Sequence, residues 1–446
     1  MAKDLTTGSP TRLILSYSVP LLIGNIFQQL YSMVDTIIVG KCIGVDALAA
    51  VGATGGLSFL ILGFLMGLTG GFAVITAQKY GAKDMKELRH SVGTSIILCI
   101  FTTIILTVLS LLTAKPLLKV MNTPDNIMAD AHTYISIIFI GIACTVFYNM
   151  IACVLRAIGD SKTPLYFLIV SSILNIVLDL VFILSFHMGV AGAAWATVIS
   201  QGVAGLLCLL YTKKKYSILK LTKQDFAYNG KFAWKHWQLG LPMALQFSVT
   251  AIGVLVLQSA LNLFGSTKIA AYTAACKVEQ LVTQPAGTFG VTMANYAGQN
   301  LGAGRIDRVK EGLKKCSVIT VLFALGASAI LLLFGKPLTM LFIDTAQSAA
   351  IQNEVLSSAN IYLTIIAIFL PVLNMLFVYR NVLQGIGRSF MPFMAGVFEL
   401  VARTICAFTL PAVMGFTGIC LAGPIAWLAA TIPLAFAYHI VIKKFD

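Results

Sequence analysis

The chain is short of charge. Of its 446 residues 11% are Asp, Glu, Lys or Arg and 58% are hydrophobic, where a soluble domain carries roughly 25% charged residues. That balance excludes an ordinary soluble enzyme or binding module. The five histidines (His90, His132, His187, His236, His439) are dispersed, and there is no His-Glu-x-x-His, no Gly-x-Ser-x-Gly and no Gly-x-x-x-x-Gly-Lys-Ser/Thr. An intramembrane enzyme built on those signatures is therefore not expected. The nine cysteines form no Cys-x-x-Cys pair, so neither a disulfide framework nor a metal site is expected, and they read as small core hydrophobes. The opening "MAKDLTTGSPTRLILSYS" has no signal-peptide cleavage pattern, so its apolar run is expected to stay with the chain.

What the chain has instead is long apolar runs. A helix needs about 20 apolar residues to cross a bilayer, and twelve segments meet that length: roughly 13–39, 48–75, 91–113, 131–155, 164–186, 190–211, 237–263, 269–297, 316–334, 356–383, 390–413 and 418–442. Their length and their Leu/Ile/Ala content predict helices, not the short alternating strands of a barrel. The expected fold is an all-α polytopic membrane protein of twelve transmembrane helices. The net charge of +14 is not spread like a nucleic-acid surface, because 24 of the 31 basic residues fall in alternate loops. By the positive-inside rule this predicts both termini in the cytoplasm, and no nucleic-acid partner. The linker "TKKKYSILKLTKQDF" is also rich enough in lysine to meet anionic lipid.

The chain is duplicated. "GVDALAAVG" from Gly44 is echoed by "GSTKIAAYT" from Gly265, 221 residues later, and Lys115-Pro116 by Lys336-Pro337 at the same offset. "AQKYGAKD" (Ala77 to Asp84) is echoed by "GQNLGAGR" (Gly298 to Arg305), "VLRAIGDSKTP" from Val154 by "VLQGIGRSFMP" from Val382, and Gly189-x-x-Gly192 by Gly415-x-x-Gly418. The division expected is a six-helix lobe over residues 1–211, a basic cytoplasmic linker over 212–236 and a second six-helix lobe over 237–446. An even number of crossings inserts both halves the same way up, which makes parallel repeats about an axis along the membrane normal. Rocking of such halves around a midplane site is the mechanics of a secondary transporter. Pro20 and Pro242, at equivalent places in the first helix of each half, are candidate kinks or hinges.

Two stretches put acids where the chain should be apolar. "QQLYSMVDTIIVG" carries Asp35, and Asn25, Gln28, Ser32 and Asp35 follow one helical face at i, i+3, i+7 and i+10. In the fifth span Ser172, Asn175 and Asp179 do the same at i, i+3 and i+7, while Tyr148, Asn149 and Thr197 add polar groups in the same half. A charged acid at the bilayer centre costs about 2.5–3.5 kcal/mol or more, so the two faces are expected to meet each other or a wet cavity. Two acids in one pocket are able to bind and release a proton near neutral pH. They could equally hold a monovalent cation, with Asn and Thr oxygens as neutral ligands, or serve as wetted helix-end caps. The counterparts of Asp35 and Asp179 in the second repeat fall at about Leu257 and Ala407, so the scaffold was duplicated without its acids. That asymmetry favours a coupling site in the first half. In the second half Glu399 and Arg403 are spaced as a self-neutralising i, i+4 pair, and Glu279 is a candidate cavity acid for a cationic substrate.

The stretches "SVPLLIGNIFQQLYSMVDTIIVG", "ALAAVG", "LRAIGDSKTP", "LNIVLDLVFI", "GVAGAAWATVISQ", "LGLPMALQF" and "LQGIGRS", in this order, resemble the multidrug and toxic compound extrusion (MATE) family over nearly the whole chain. The resemblance is to its prokaryotic DinF-type branch and, within that, to MepA-like members. It implies twelve helices in two six-helix lobes and export of bulky organic cations, dyes and drugs across the plasma membrane in exchange for protons or sodium, with no other cofactor. It also implies a coupling site at Asp35, Asn149, Asn175, Asp179 and Thr197, where sodium would take Asp35, Asn175 and Asp179. The sodium-coupled NorM-type branch has acids where this chain has Gln246 and Asn374 or Leu373, so coupling is expected in the first lobe alone. Substrate is expected against Gln28, Tyr31, Tyr148, Met243, Gln246 and Glu279, where Met and aromatic side chains allow promiscuous packing. No obligate protein partner is expected. The rival reading is a flippase for lipid-linked oligosaccharides on the related scaffold, which would need cationic side chains facing its cavity; Lys277 is the main candidate, since Arg403 is spaced to pair with Glu399.

Overall fold

The structure is a computed structural model that describes residues 3–341 and 349–445. Among the described residues all regular structure is helical. The helices are α1 (Pro10–Cys42), α2 (Val45–Gly81), α3 (Met85–Val120), α4 (Asp125–Ile140), α5 (Ile142–Ala157), α6 (Lys162–Leu180) and α7 (Gly189–Lys215), then α8 (Gly230–Leu261), α9 (Ser266–Gly302), α10 (Ile306–Met340), α11 (Ala349–Gly385), α12 (Phe390–Met414) and α13 (Phe416–Ile442). Ten spans are long and apolar enough to cross a membrane, and the pair α4–α5 makes an eleventh, bent by 46°. The twelfth expected span is α9, 37 residues long, which Lys277, Glu279 and its Thr, Gln and Asn residues make more polar than the rest.

The fourth span was expected as one run over 131–155; it breaks at Gly141, where a Cβ would collide with Val198 of α7. Glycine there lets the two helices touch, and the chain turns as it passes. Elsewhere the helix ends follow from local chemistry. Asp84 accepts the Glu87 backbone N–H at 3.0 Å to cap α3. The repeat is written in the backbone as well as the sequence: Gly44 and Gly265 precede α2 and α9 at φ +134° and +80°, Gly159 and Gly387 turn at +89° and +82°, and Gly189 and Gly415 both at +57°. Lys83, at φ +57°, stands where the second repeat has Gly304 at +70°.

The described residues form two compact units. The first holds the residues up to Thr7, Ser16–Ser248 and Leu301–Gly304; the second holds Gly8–Leu15, Val249–Asn300 and the chain from Arg305 onward. Helices α1 and α8 therefore each contribute to both. In the first unit, Leu65, Leu68 and Phe72 of α2 pack with Leu88 and Val92 of α3 and with Ile142, Val146 and Leu155 of α5 in one continuous core. Helix α8 reaches that core through small residues: a Cβ on Gly67 would lie 2.5 Å from the Met243 carbonyl, and one on Gly71 would lie 2.5 Å from the Gly240 Cα. With little hydrophobic drive between helices in lipid, this kind of close backbone approach is what holds them.

In the first unit the α5–α6 junction is tied by Asp160. Its carboxylate accepts the backbone N–H groups of Lys162 and Thr163 at 3.0 Å, the Thr163 and Tyr216 hydroxyls, and Lys215 at 3.6 Å. Burial pushes this carboxyl up, but the Thr163 and Tyr216 hydrogen bonds and the Lys215 charge outweigh it and hold Asp160 below the usual carboxylate range.

Two tests follow from this packing. Gly71→Ala should lower the unfolding midpoint of the detergent-solubilised protein by the equivalent of about 1–3 kcal/mol, the cost of overpacking, whereas Gly52→Ala, with open space at the Cβ position, should leave it unchanged. Asp160→Asn should cost about 1.5–3 kcal/mol, the worth of hydrogen bonds to a charged group. Because the folded-state value is depressed, the Asp160 contribution is present above the ordinary carboxyl range and lost as pH falls through the depressed value. The gap between wild type and Asp160→Asn in a pH series of thermal melts should therefore close only in acid.

Candidate functional site

Helices α1, α4, α6 and α7 of the first unit each bring one or two polar groups to one place. Asp35 of α1 and Asp179 of α6 share a side-chain hydrogen bond. Such a bond between two carboxyl groups needs a proton on one of them. Asn175 lies one helical turn from Asp179 on the same face, and both are buried; Asp35 is half-buried. The Asn175 amide donates to the Thr197 hydroxyl of α7 at 3.4 Å, and Thr197 in turn donates to the Ala193 carbonyl at 3.1 Å. Tyr31 of α1 and Tyr134 of α4 both lie close enough to feel the charges of Asp35 and Asp179.

The surroundings are apolar. Ile38, Val39, Ala47, Ile183, Val190 and Ala193 form a buried cluster with Val34, Val51, Tyr134 and Ile176 packed against it. Just past Asp179, α6 loosens into a π-helical turn over Val181–Ser185, with the Phe186 N–H bonded back to the Val181 carbonyl at 3.1 Å. Such turns interrupt α-helices mostly at functional sites. One Asp35 oxygen, Oδ1, is buried with no hydrogen-bond partner among the described residues, which leaves it open to a proton or a cation.

Of the residues expected at the coupling site, the structure brings together Asp35, Asn175, Asp179 and Thr197, and Tyr31, expected against substrate, lies beside them. Asn149 donates its amide to the Thr145 carbonyl of its own helix at 2.9 Å. Tyr148 is buried with its hydroxyl bonded to the Pro164 carbonyl at 2.8 Å. Gln28 is exposed on α1, while Met243 is half-buried and Gln246 buried on α8. Tyr134 is the residue that sequence reasoning missed. Its only signal is a phenol beside the stretch from Ile135 to Ile140, apolar but for Ser136, which in a membrane helix reads as packing.

Glu279 belongs to the second unit, where it accepts the Tyr362 hydroxyl at 2.6 Å; the Tyr362 ring packs on Tyr272 at 4.7 Å between centroids. The expected Glu399–Arg403 pair is formed at 2.6 Å and is extended by Arg380, which donates to the other Glu399 oxygen at 2.9 Å. Arg403 is thus engaged, as its spacing from Glu399 predicts, while Lys277, the main cationic candidate of the flippase reading, is exposed. Leu257 is half-buried and Ala407 buried, so the second unit has no carboxyl at the positions equivalent to the pair. Among the described residues no group of three or more His, Cys, Asp or Glu side chains is placed to hold a metal ion.

A duplicated twelve-helix membrane scaffold with a carboxyl pair inside one half is that of a membrane transport protein. The MatE family model matches residues 20–181 and again 242–409, once per repeat, and the chain belongs to that family of transporters, which are not enzymes. It is 30% identical to the probable multidrug resistance protein YpnP of Bacillus subtilis (strain 168), over 86% of this chain and 85% of that one. To the multidrug export protein MepA of Staphylococcus haemolyticus (strain JCSC1435) it is 22% identical, over 91% and 88%. The fold superimposes with a TM-score of 0.92 on a multidrug resistance MATE family transporter of the MOP superfamily solved in an outward-facing conformation, over 99% of this chain and 98% of that one at 24% identity.

If the acids are there for function and not for stability, removing their charge should not harm the fold. Asp179→Asn is expected to melt at or above the wild-type midpoint, since replacing buried ionisable groups is often neutral or stabilising by about 1–4 kcal/mol. A midpoint well below wild type in detergent would make Asp179 a structural residue.

Proposed function

We propose that this protein is a multidrug efflux antiporter of the plasma membrane that exports hydrophobic organic cations in exchange for protons by alternating access. The observation that carries the reading is the hydrogen bond shared by Asp35 and Asp179 inside an apolar shell. A pair that holds one proton between two helices changes its mutual attraction when that proton leaves, because two bare carboxylates repel. Proton binding then favours a packing in which α1 and α6 are drawn together. Loss of the proton favours one in which they part, and the coupling is the difference in affinity between the two packings.

Asn175 and Thr197 orient the pair, and Asn149 is the reserve hydrogen-bond partner should α5 shift. The same oxygens of Asp35, Asn175 and Asp179 would accept sodium if that is the coupling ion. Cationic drugs and dyes are read as contacting Gln28, Tyr31, Tyr148, Met243, Gln246 and Glu279, where flexible Met and aromatic surfaces tolerate varied shapes. The relatives named for multidrug resistance and export support this substrate class. The alternate-loop distribution of basic residues supports both termini in the cytoplasm.

The test is ethidium efflux from proteoliposomes under an imposed pH gradient and, separately, an imposed sodium gradient. Efflux is expected to follow the pH gradient and to fall in Asp35→Asn and Asp179→Asn by roughly 5- to 150-fold, the range of a coupling free energy of about 1–3 kcal/mol. A response to sodium alone would assign the same oxygens to that ion. Full efflux in both folded variants would remove the pair from coupling.

A further inference from the structure

The segment joining the two repeats, residues 212–236, takes no part in the carboxyl site, and it carries seven lysines against one acid, Asp225. It is a fixed part of the first unit. Short 3-10 turns over Ser217–Leu219 and Lys223–Phe226 are held by a reciprocal capping box between Thr222 and Asp225. Arg89 of α3 reaches the Asp225 carboxylate at 3.7 Å, the His90 Nδ1 lies 3.2 Å from the Asp225 carbonyl, and the His90 ring stacks on Phe232 at 4.8 Å. A Cβ on Gly93 would collide with that same carbonyl, so the turn rests directly on the α3 backbone. Burial pushes the Asp225 carboxyl up, but the Thr222 N–H and hydroxyl and the Arg89 charge outweigh it and hold it low. The only acid of the segment is therefore spent inside the fold.

The outward side is different. Lys213, Lys214, Lys220, Lys223, Lys231 and Lys235 are exposed, and none has a carboxylate partner among the described residues. At the start of α8, Lys231, Trp234 and Lys235 share one face at i, i+3 and i+4, while Phe232, Ala233 and His236 turn inward and are buried. Trp234 is 62% exposed and Tyr228 72% exposed. Helices α7 and α8, on either side, are both long and apolar enough to cross a membrane, so this surface lies where the chain leaves the hydrocarbon.

We propose that this surface docks the headgroups of anionic phospholipid in the leaflet it faces, with the lysine ammonium groups on the lipid phosphates and Trp234 and Tyr228 seated at headgroup depth. Exposed Trp and Tyr are costly beside water and favoured at the membrane interface. Six unpaired lysines select lipids of net negative charge over zwitterionic ones. A soluble acidic partner would account for the lysines but not for aromatic residues in the plane of the membrane.

The full-length protein in detergent provides the test, through mass spectrometry of the intact protein with dioleoylphosphatidylglycerol or dioleoylphosphatidylcholine added. Wild type should retain the anionic lipid in preference. The variant carrying Lys213→Gln, Lys214→Gln, Lys231→Gln and Lys235→Gln should lose that preference on the order of tenfold or more, since each basic residue near an anionic surface is worth about fivefold (~1 kcal/mol). Trp234→Ala should weaken retention of both lipids alike, and inorganic phosphate should not compete. Equal retention by wild type and the lysine variant overturns the proposal, as does competition by inorganic phosphate or by an acidic peptide at matched charge. All substituted residues are exposed, and an unchanged melting midpoint checks that the variants fold. The readout is lipid retention, so it stands whether or not the protein proves to be a proton-coupled exporter.

Discussion

The candidate site depends on one contact, the meeting of Asp35 and Asp179 beside an apolar cluster. Either acid, if charged and alone in the membrane, would cost several kcal/mol. Both charged at once would repel at short range in a medium that screens poorly. A proton shared between the two groups would relieve that repulsion. Beside that contact, Asn175 donates to Thr197 and Thr197 to the Ala193 carbonyl, and Ile38, Val39, Ile183 and Val190 belong to a buried apolar cluster. On the proposed reading, a pair whose attraction depends on a shared proton would report that proton through the packing of α1 and α6.

Close approach of helices makes such a contact possible. Glycine at 67 and 71 brings α2 against the backbone of α8, glycine at 141 lets α4 and α5 bend around α7, and glycine at 93 seats the connecting segment on α3. None of these contacts is hydrophobic burial in the usual sense. In lipid the helices have little to gain by hiding apolar surface from one another, so shape and hydrogen bonds carry the association. Polar side chains inside the spans follow the same rule. Thr69, Ser95 and Thr102 bond to carbonyls in their own helices, which satisfies them without asking for a partner and leaves intermolecular specificity to the few that reach across.

The periodic features were legible in the sequence. Eleven of the twelve expected spans stand out by length and apolar content among the described residues, and the i, i+3, i+7 spacing of polar residues on α1 and α6 marked two faces whose acids, Asp35 and Asp179, lie together. The repeat was legible from glycines, and the matching left-handed turns at Gly44 and Gly265 or Gly159 and Gly387 show why those positions could not drift. What was not legible depends on direction and not on spacing. Asn149 has the right chemistry, but its amide turns back onto Thr145, and Tyr134 has the right position while its neighbours disguise it as packing. Arg380 is far from Glu399 in sequence and reaches it only because α11 and α12 pack together. Spacing within a helix says which residues share a face; which face meets which helix is decided by crossings that glycines hundreds of residues apart set jointly.

The two halves have taken the same frame to different electrostatic ends. In the first unit an acid meets an acid. In the second, Glu279 meets the Tyr362 hydroxyl, a donor that needs no change of protonation, and Glu399 is held between two guanidinium groups. A carboxylate between two arginines is neutralised with charge to spare, and breaking such a buried arrangement costs more than forming it gains, so this cluster resists change where the acid pair invites it. Duplication supplied two equivalent scaffolds, and their buried charges differ: two acids side by side in one half, and an acid held by two arginines in the other.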